Sequence, residues 1–202
     1  MTLRLLVADD QALVRSALAA LLSLEPDFTV VAEVGRGDEV VSAALESQPD
    51  VALLDIEMPG ADGLDAAAAL RAAMPSCRVL VLTTFGRPGY LRRAMQAGVL
   101  GFVVKDAPAE QLADAVRRVA AGERVVDPNL AAATLAYGPS PLTDRERDVL
   151  VAARGGATVA DVAGSLHLSE GTVRNYLSSA IAKTGARNRV EAATVADDRG
   201  WL

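Results

Sequence analysis

The chain has 202 residues, 51% hydrophobic, 23% charged and only 3% aromatic, with a net charge of −6. This suits a globular protein of one large or two small domains, with aliphatic cores and Ala-rich helices. Its single cysteine, Cys77, excludes an internal disulfide and a CxxC metal site, and no run of about 18 apolar residues is present to span a membrane. Cys77 reads as a small buried apolar residue. The start "MTLRLLVADD" reaches two acids within ten residues, which argues against a signal peptide and for the cytoplasm.

In chain order, five short runs rich in Val and Leu occupy residues 3–9, 27–34, 50–55, 78–84 and 101–105. They are not cleanly alternating, the pattern of strands buried on both faces of a parallel sheet. Between them lie five stretches with apolar residues at three- and four-residue spacing: 12–24, 37–48, 64–74, 88–98 and 108–122. Pro108 is a good helix start, and Gly98 and Gly122 are good stops. Five repeats of strand and helix predict an α/β fold, a doubly wound (βα)5 sheet with helices on both faces. The segment 127–141, "DPNLAAATLAYGPSP", reads as linker with a short helical piece at 129–136.

From 141 onward the pattern is all-α. Thr143 with Glu146, and Thr158 with Asp161, have capping-box spacing, and Ser169 is placed to cap the next helix. Two short helices joined by the tight turn "HLS", the second opening with polar residues, predict a helix-turn-helix. His167, the only histidine, falls in that turn facing solvent, and Trp201 reads as a packing residue at the chain end. The charge follows the same division. Residues 1–139 hold 12 Lys/Arg and 18 Asp/Glu, whereas residues 140–202 hold 8 of each, so the acidic surplus lies in the first part.

Ligands of an open parallel sheet sit beyond the carboxyl ends of its strands. Those ends carry Asp9 and Asp10 on the first strand, Asp55 on the third, Thr83 on the fourth and Lys105 on the fifth. Crowded carboxylates repel, and Mg²⁺ is the natural relief, since it takes hard oxygen ligands and shares a phosphate. A carboxylate beside it can accept a phosphoryl group, whose oxygens the metal and a lysine neutralise. Each of these residues alone is more often a cap or a solvated turn residue; the five together at successive strand ends are the signal.

Residues 1–122 resemble a response-regulator receiver domain, through "VADD", "LLDIEMPGADG", "VLTTF" and "GFVVKD". Residues 141–202 resemble the DNA-binding domain of NarL/FixJ (LuxR-type) transcription factors, through "LTDRERDVL" and "LSEGTVRNYLSSAIAKTGARNRVEA", leaving 123–140 as linker. The local wording is similar to the desaturase-regulator branch of that family. The resemblance implies phosphorylation of Asp55 by a sensor histidine kinase. It also implies Mg²⁺ bound by Asp10, Asp55 and the carbonyl of Glu57, with Asp9 supporting. Thr83 would be the switch hydroxyl, with Thr84 the adjacent alternative, Lys105 the phosphate partner and Phe102 the aromatic that turns inward. The sequence departs from the family at Asp106, where many receivers have Pro, and at Thr184, usually an apolar Leu, which is expected to loosen the end of the recognition helix slightly.

In the recognition helix, Val173, Leu177 and Ile181 repeat every four residues and should face the core. Thr172, Arg174, Asn175 and Ser178 should then face the groove, just beyond Ser169, with Arg suited to guanine and Asn to adenine. Lys183, Arg187 and Arg189 are placed for phosphates of double-stranded DNA. The resemblance further implies a homodimer on phosphorylation, with Leu13, Leu18, Leu112 and Val116 as surface candidates, and makes RNA polymerase an additional partner to consider. The chief alternative is an enzyme, a hydrolase with an aspartyl-phosphate intermediate. Such enzymes usually carry a second Asp two residues after the nucleophile; Glu57 stands there, and a DNA-binding domain would be surplus. A regulator with a relic pocket is disfavoured by the intact set of five residues.

Overall fold

The computed structural model describes residues 2–84, 88–126, 131, 132, 138 and 140–202. The chain divides into two compact units, the main boundary falling between Ala131 and Ala132. In the first, the strands are β1 (Leu3–Ala8), β2 (Phe28–Val34), β3 (Val51–Asp55), β4 (Arg78–Thr83), β5 (Gly101–Val104) and β6 (Val125–Val126). The helices are α1 (Ala12–Leu22), α2 (Val40–Ser47), α3 (Gly63–Ala73), α4 (Pro88–Gln96) and α5 (Ala109–Ala120). The strands form one parallel sheet in the order β2-β1-β3-β4-β5-β6. Every residue of β3 is buried, which is why its sequence is a continuous apolar run without alternation. Leu5, Val7, Leu53, Leu80 and Leu82 pack with Leu112, Val116 and Val119 of α5 in the main core.

The expected (βα)5 order is present, with differences of detail. Residues 37–39 form a 3-10 turn rather than the start of α2. There Gly37 donates its N–H to the Pro59 carbonyl, tying this turn to the loop after β3. A sixth strand, too short to leave a pattern, pairs with Gly101 and Phe102 and lies inside the stretch read as linker. The helical piece expected at 129–136 lies outside the described residues apart from 131 and 132, which are helical. Leu112 and Val116, expected on a surface, are 6% and 0% exposed. Their three- and four-residue spacing marks the inner stripe of α5, so they hold the helix to the sheet.

The second unit contains α6 (Asp144–Ala152), α7 (Val159–Leu166), α8 (Glu170–Thr184) and α9 (Arg189–Asp198). Both expected capping boxes are formed, at Thr143 with Glu146 and at Thr158 with Asp161. Ser169 accepts the Thr172 N–H and starts α8. His167, exposed and left-handed at φ 54°, ends α7 and turns the chain. The core is Val149, Leu150, Val162, Val173, Leu177, Ala192 and Ala196, closed by Trp201. Thr184 is accommodated here without a loosened end: its buried hydroxyl donates to the Ala180 carbonyl at 2.8 Å, and α8 runs to Gly185, which caps it. Among the described residues no helix is long and apolar enough to cross a membrane.

Candidate functional site

Chain connections leave β1 and β3 toward opposite edges of the sheet, so a crevice opens beyond their carboxyl ends. Asp9 and Asp10 follow β1, and Asp55 ends β3. One carboxylate oxygen from each lies within 4.8 Å of the others. Asp9 and Asp55 are buried at 1% and 5% exposure, while Asp10 is exposed. Lys105, after β5, reaches across β4 and sets its Nζ 2.7 Å from Asp9 Oδ2 and 3.0 Å from Asp55 Oδ1.

Burial pushes the Asp55 carboxyl above the usual carboxylate range, and the neighbouring Asp9 adds to the rise; Lys105 offsets only part of it. For Lys105, burial opposes the charge, but its two carboxylate partners outweigh burial and raise its pKa. Lys105 is therefore a fixed cation facing two buried acids, with a third acid beside them. One ammonium does not balance three carboxylates, and three hard oxygen donors so close together fit a divalent cation of the Mg²⁺ type.

The surrounding chain holds this geometry. Gly63, the first residue of α3, lets that helix approach β3 so closely that a Cβ there would lie 1.8 Å from the Asp55 carbonyl oxygen. Asp62 caps α3 by accepting the N–H groups of Leu64 and Asp65, and Arg93 of α4 binds the same carboxylate at 2.6 Å. Thr83 is buried at the end of β4, where its carbonyl accepts the Lys105 N–H, while Thr84 is exposed. Phe102 is buried on β5, and Glu57 is exposed in the loop after β3. Sequence reasoning missed Arg15. Its Nη1 donates to the Asp9 carbonyl at 2.6 Å, and the only available signal was its place four residues after Gln11 on a short helix beside the acids.

In the second unit Val173 and Leu177 are buried and Ile181 packs against the core. The opposite face of α8 presents Arg174, Asn175 and Ser178 to solvent; Thr172 is half-buried beside the Ser169 hydroxyl, 2.8 Å away. Arg174 pairs with Glu170 at 2.5 Å and Arg187 with Glu191 at 3.0 Å. Arg189 is half-buried at the start of α9. Lys183, read as a phosphate contact, sets its Nζ 2.7 Å from Glu146, whose carboxylate is buried and also accepts the Ser179 hydroxyl at 2.6 Å. Sequence reasoning found Glu146 as a capping residue and missed this second role.

Residues 5–117 match the response regulator receiver domain model, and residues 140–196 match that of the bacterial regulatory proteins of the luxR family. Over 200 residues the chain is 44% identical to the transcriptional regulatory protein YvfU of Bacillus subtilis, covering 99% of this chain and all of that one. Over 196 residues it is 43% identical to the transcriptional regulatory protein DesR of Bacillus subtilis, covering 97% of each. A similar solved structure is that of the response regulator ChrA from a heme-sensing two-component system. It has a TM-score of 0.59 and 32% identity, and covers 100% of this chain and 99% of that one.

Proposed function

The chain belongs to the LuxR-type two-component response regulators, with a receiver domain and a DNA-binding domain, and from that premise we propose that it is a phosphorylation-controlled transcription factor whose phosphoacceptor is Asp55. The observation that carries this reading is the crevice, where Asp9, Asp10 and Asp55 gather within 4.8 Å of one another and Lys105 pairs with Asp9 and Asp55. Asp10, Asp55 and the Glu57 carbonyl are the residues to hold Mg²⁺, with Asp9 supporting; the ion would supply charge neutralisation for the incoming phosphoryl group. An Asp55 carboxylate oxygen forms the new P–O bond as the P–N bond of a kinase phosphohistidine breaks, and the departing imidazole keeps that electron pair. Lys105, already protonated between two carboxylates, neutralises phosphoryl oxygens in place of Asp55 charge.

The new group adds a charge of about −1.5 to −2. Thr83 is the hydroxyl to meet it, and Phe102 is the buried aromatic on the adjacent strand to respond. The response promotes a homodimer, and α8 of each copy then reads double-stranded DNA, with Arg174 and Asn175 on base edges and Arg187 and Arg189 on phosphates. The proposed domains are 1–122 and 141–202, joined by 123–140, and the proposed location is the cytoplasm.

The test uses a small phosphodonor with Mg²⁺ on the full chain, read by intact mass. The wild type is expected to gain one acid-labile phosphate, and neither Asp55→Asn nor the chelated wild type should gain any. Stoichiometric labelling of the Asn variant would sink the assignment.

A further inference from the structure

Besides Lys105, a second cation touches the strand end that carries the two N-terminal acids. The ladders of β1 to β2 and to β3 end at Ala8–Val34 and Ala8–Leu54. The carbonyl of Asp9 lies one residue beyond them, in a residue 1% exposed, and among the described residues no backbone N–H donates to it. Arg15 supplies the donor, with Nη1 at 2.6 Å.

The guanidinium is itself held in place. Its Nε lies 4.0 Å from the Glu33 carboxylate near the end of β2, and its side chain is 21% exposed. It passes over Gly35, where a Cβ would sit 3.1 Å from Nη1, so the bare backbone at 35 leaves room for it.

The carbonyl in question belongs to the planar peptide that joins Asp9 to Asp10. That plane held by Arg15, and the following peptide held by the Gln11 N–H on Asp9 Oδ1, together restrict the rotation that sets where the Asp10 side chain leaves the backbone. This matters for Asp10 in particular. Asp9 is anchored by the Gln11 N–H and Lys105, and Asp55 by Lys105. Asp10 is exposed and makes no hydrogen bond or ion pair of its own among the described residues. We propose that Arg15 is a positioning residue for the divalent-cation site: by clamping the Asp9–Asp10 peptide it presents the Asp10 carboxylate to the ion. The proposal rests on reading the three acids as a Mg²⁺ site.

Two effects oppose each other here. A guanidinium near a cation site repels the cation, while an ordered carboxylate attracts it. The Arg15 charge is partly cancelled by Glu33, so ordering of Asp10 prevails, and the two effects predict opposite signs on removal of the side chain.

Mg²⁺ titration of the full chain, followed by backbone amide shifts, measures the outcome. Arg15→Ala is expected to raise the Mg²⁺ Kd by roughly tenfold, the scale of losing a group that orients a metal ligand. Arg15→Lys, which keeps one donor, should recover most of the affinity, and Gly35→Ala, which crowds the guanidinium, should fall between. With a small phosphodonor, the rate deficit of Arg15→Ala should vanish at saturating Mg²⁺. An unchanged Kd with a lowered Tm makes Arg15 merely structural, and a lowered Kd makes it a repelling charge; either overturns the proposal. If Arg15→Ala does not fold, Gly35→Ala decides alone: a raised Kd supports the clamp and an unchanged one overturns it. If the wild type shows no saturable Mg²⁺ binding, the Mg²⁺ reading itself falls, an outcome distinct from a variant that matches the wild type.

Discussion

Glu146 is a capping acid by sequence and a buried ion-pair centre by structure. Burial alone would raise its pKa, but Lys183, the Ser179 hydroxyl and the Thr143 N–H outweigh burial and hold the carboxyl at about 2, against an ordinary value of 4.5. A folded pKa below the unfolded one means that the unfolded chain binds the proton more tightly. The stabilisation is therefore full above pH ~4.5 and is lost as pH falls toward about 2. Its size at neutral pH is at most about 3 kcal/mol. Glu146→Gln should lower the stability of the second unit by about that order at pH 7 and flatten its acid dependence between pH 5 and 3. Trp201, the single tryptophan, lies buried in that unit and reports urea unfolding by fluorescence. Equal acid slopes for the two proteins would remove the ion pair from the account.

At the scale of the element, α8 is a helix with two jobs. One face carries Val173, Leu177 and Ala180 into the core, and the other offers Arg174, Asn175 and Ser178. Arg174 lies in the second turn of α8, where base edges are within reach of a helix lying in the major groove. Arg174→Ala should cost roughly 1–3 kcal/mol of specific binding and relax the preference at one base pair, as measured by fluorescence anisotropy across operator variants. Lys183 stands at the other end of the same helix, and its ammonium is engaged with Glu146. Lys183→Ala should consequently act first on stability, because it leaves a buried carboxylate without its cation, a change that typically costs about 3–5 kcal/mol. Thermal unfolding separates the two: Arg174→Ala should keep the wild-type Tm, and Lys183→Ala should lower it. Wild-type DNA binding by Arg174→Ala, with binding lost in Lys183→Ala at an unchanged Tm, would mean that α8 is docked on DNA by its far end.

For the whole molecule, the proposed function requires that chemistry in one unit change the association of the chain. α1 leaves Leu13 84% exposed beside the acidic crevice, and Leu24 83% exposed just past its end. An apolar residue held in water at that place suits a surface that a second copy covers. Treatment with a phosphodonor and Mg²⁺ should raise the sedimentation mass toward that of a dimer. Leu13→Asp should block that rise while leaving phosphate incorporation at Asp55 unchanged. An unaltered dimer in that variant would move the interface to another face. Much of this was legible in the residues themselves. The two-part organisation, the parallel order of strands and helices, the capping boxes and the set Asp9, Asp10, Asp55, Thr83 and Lys105 follow from local patterns, because periodicity and strand-end position are properties of neighbouring residues. Tertiary structure alone decided that Leu112 and Val116 face inward, that Lys183 neutralises Glu146, that Val125 and Val126 add a sixth strand, and that Arg15 holds the Asp9 carbonyl. Each of these depends on a partner far away in the chain or on which side of a helix meets the sheet, and a sequence pattern specifies spacing along the chain without naming what lies across the gap.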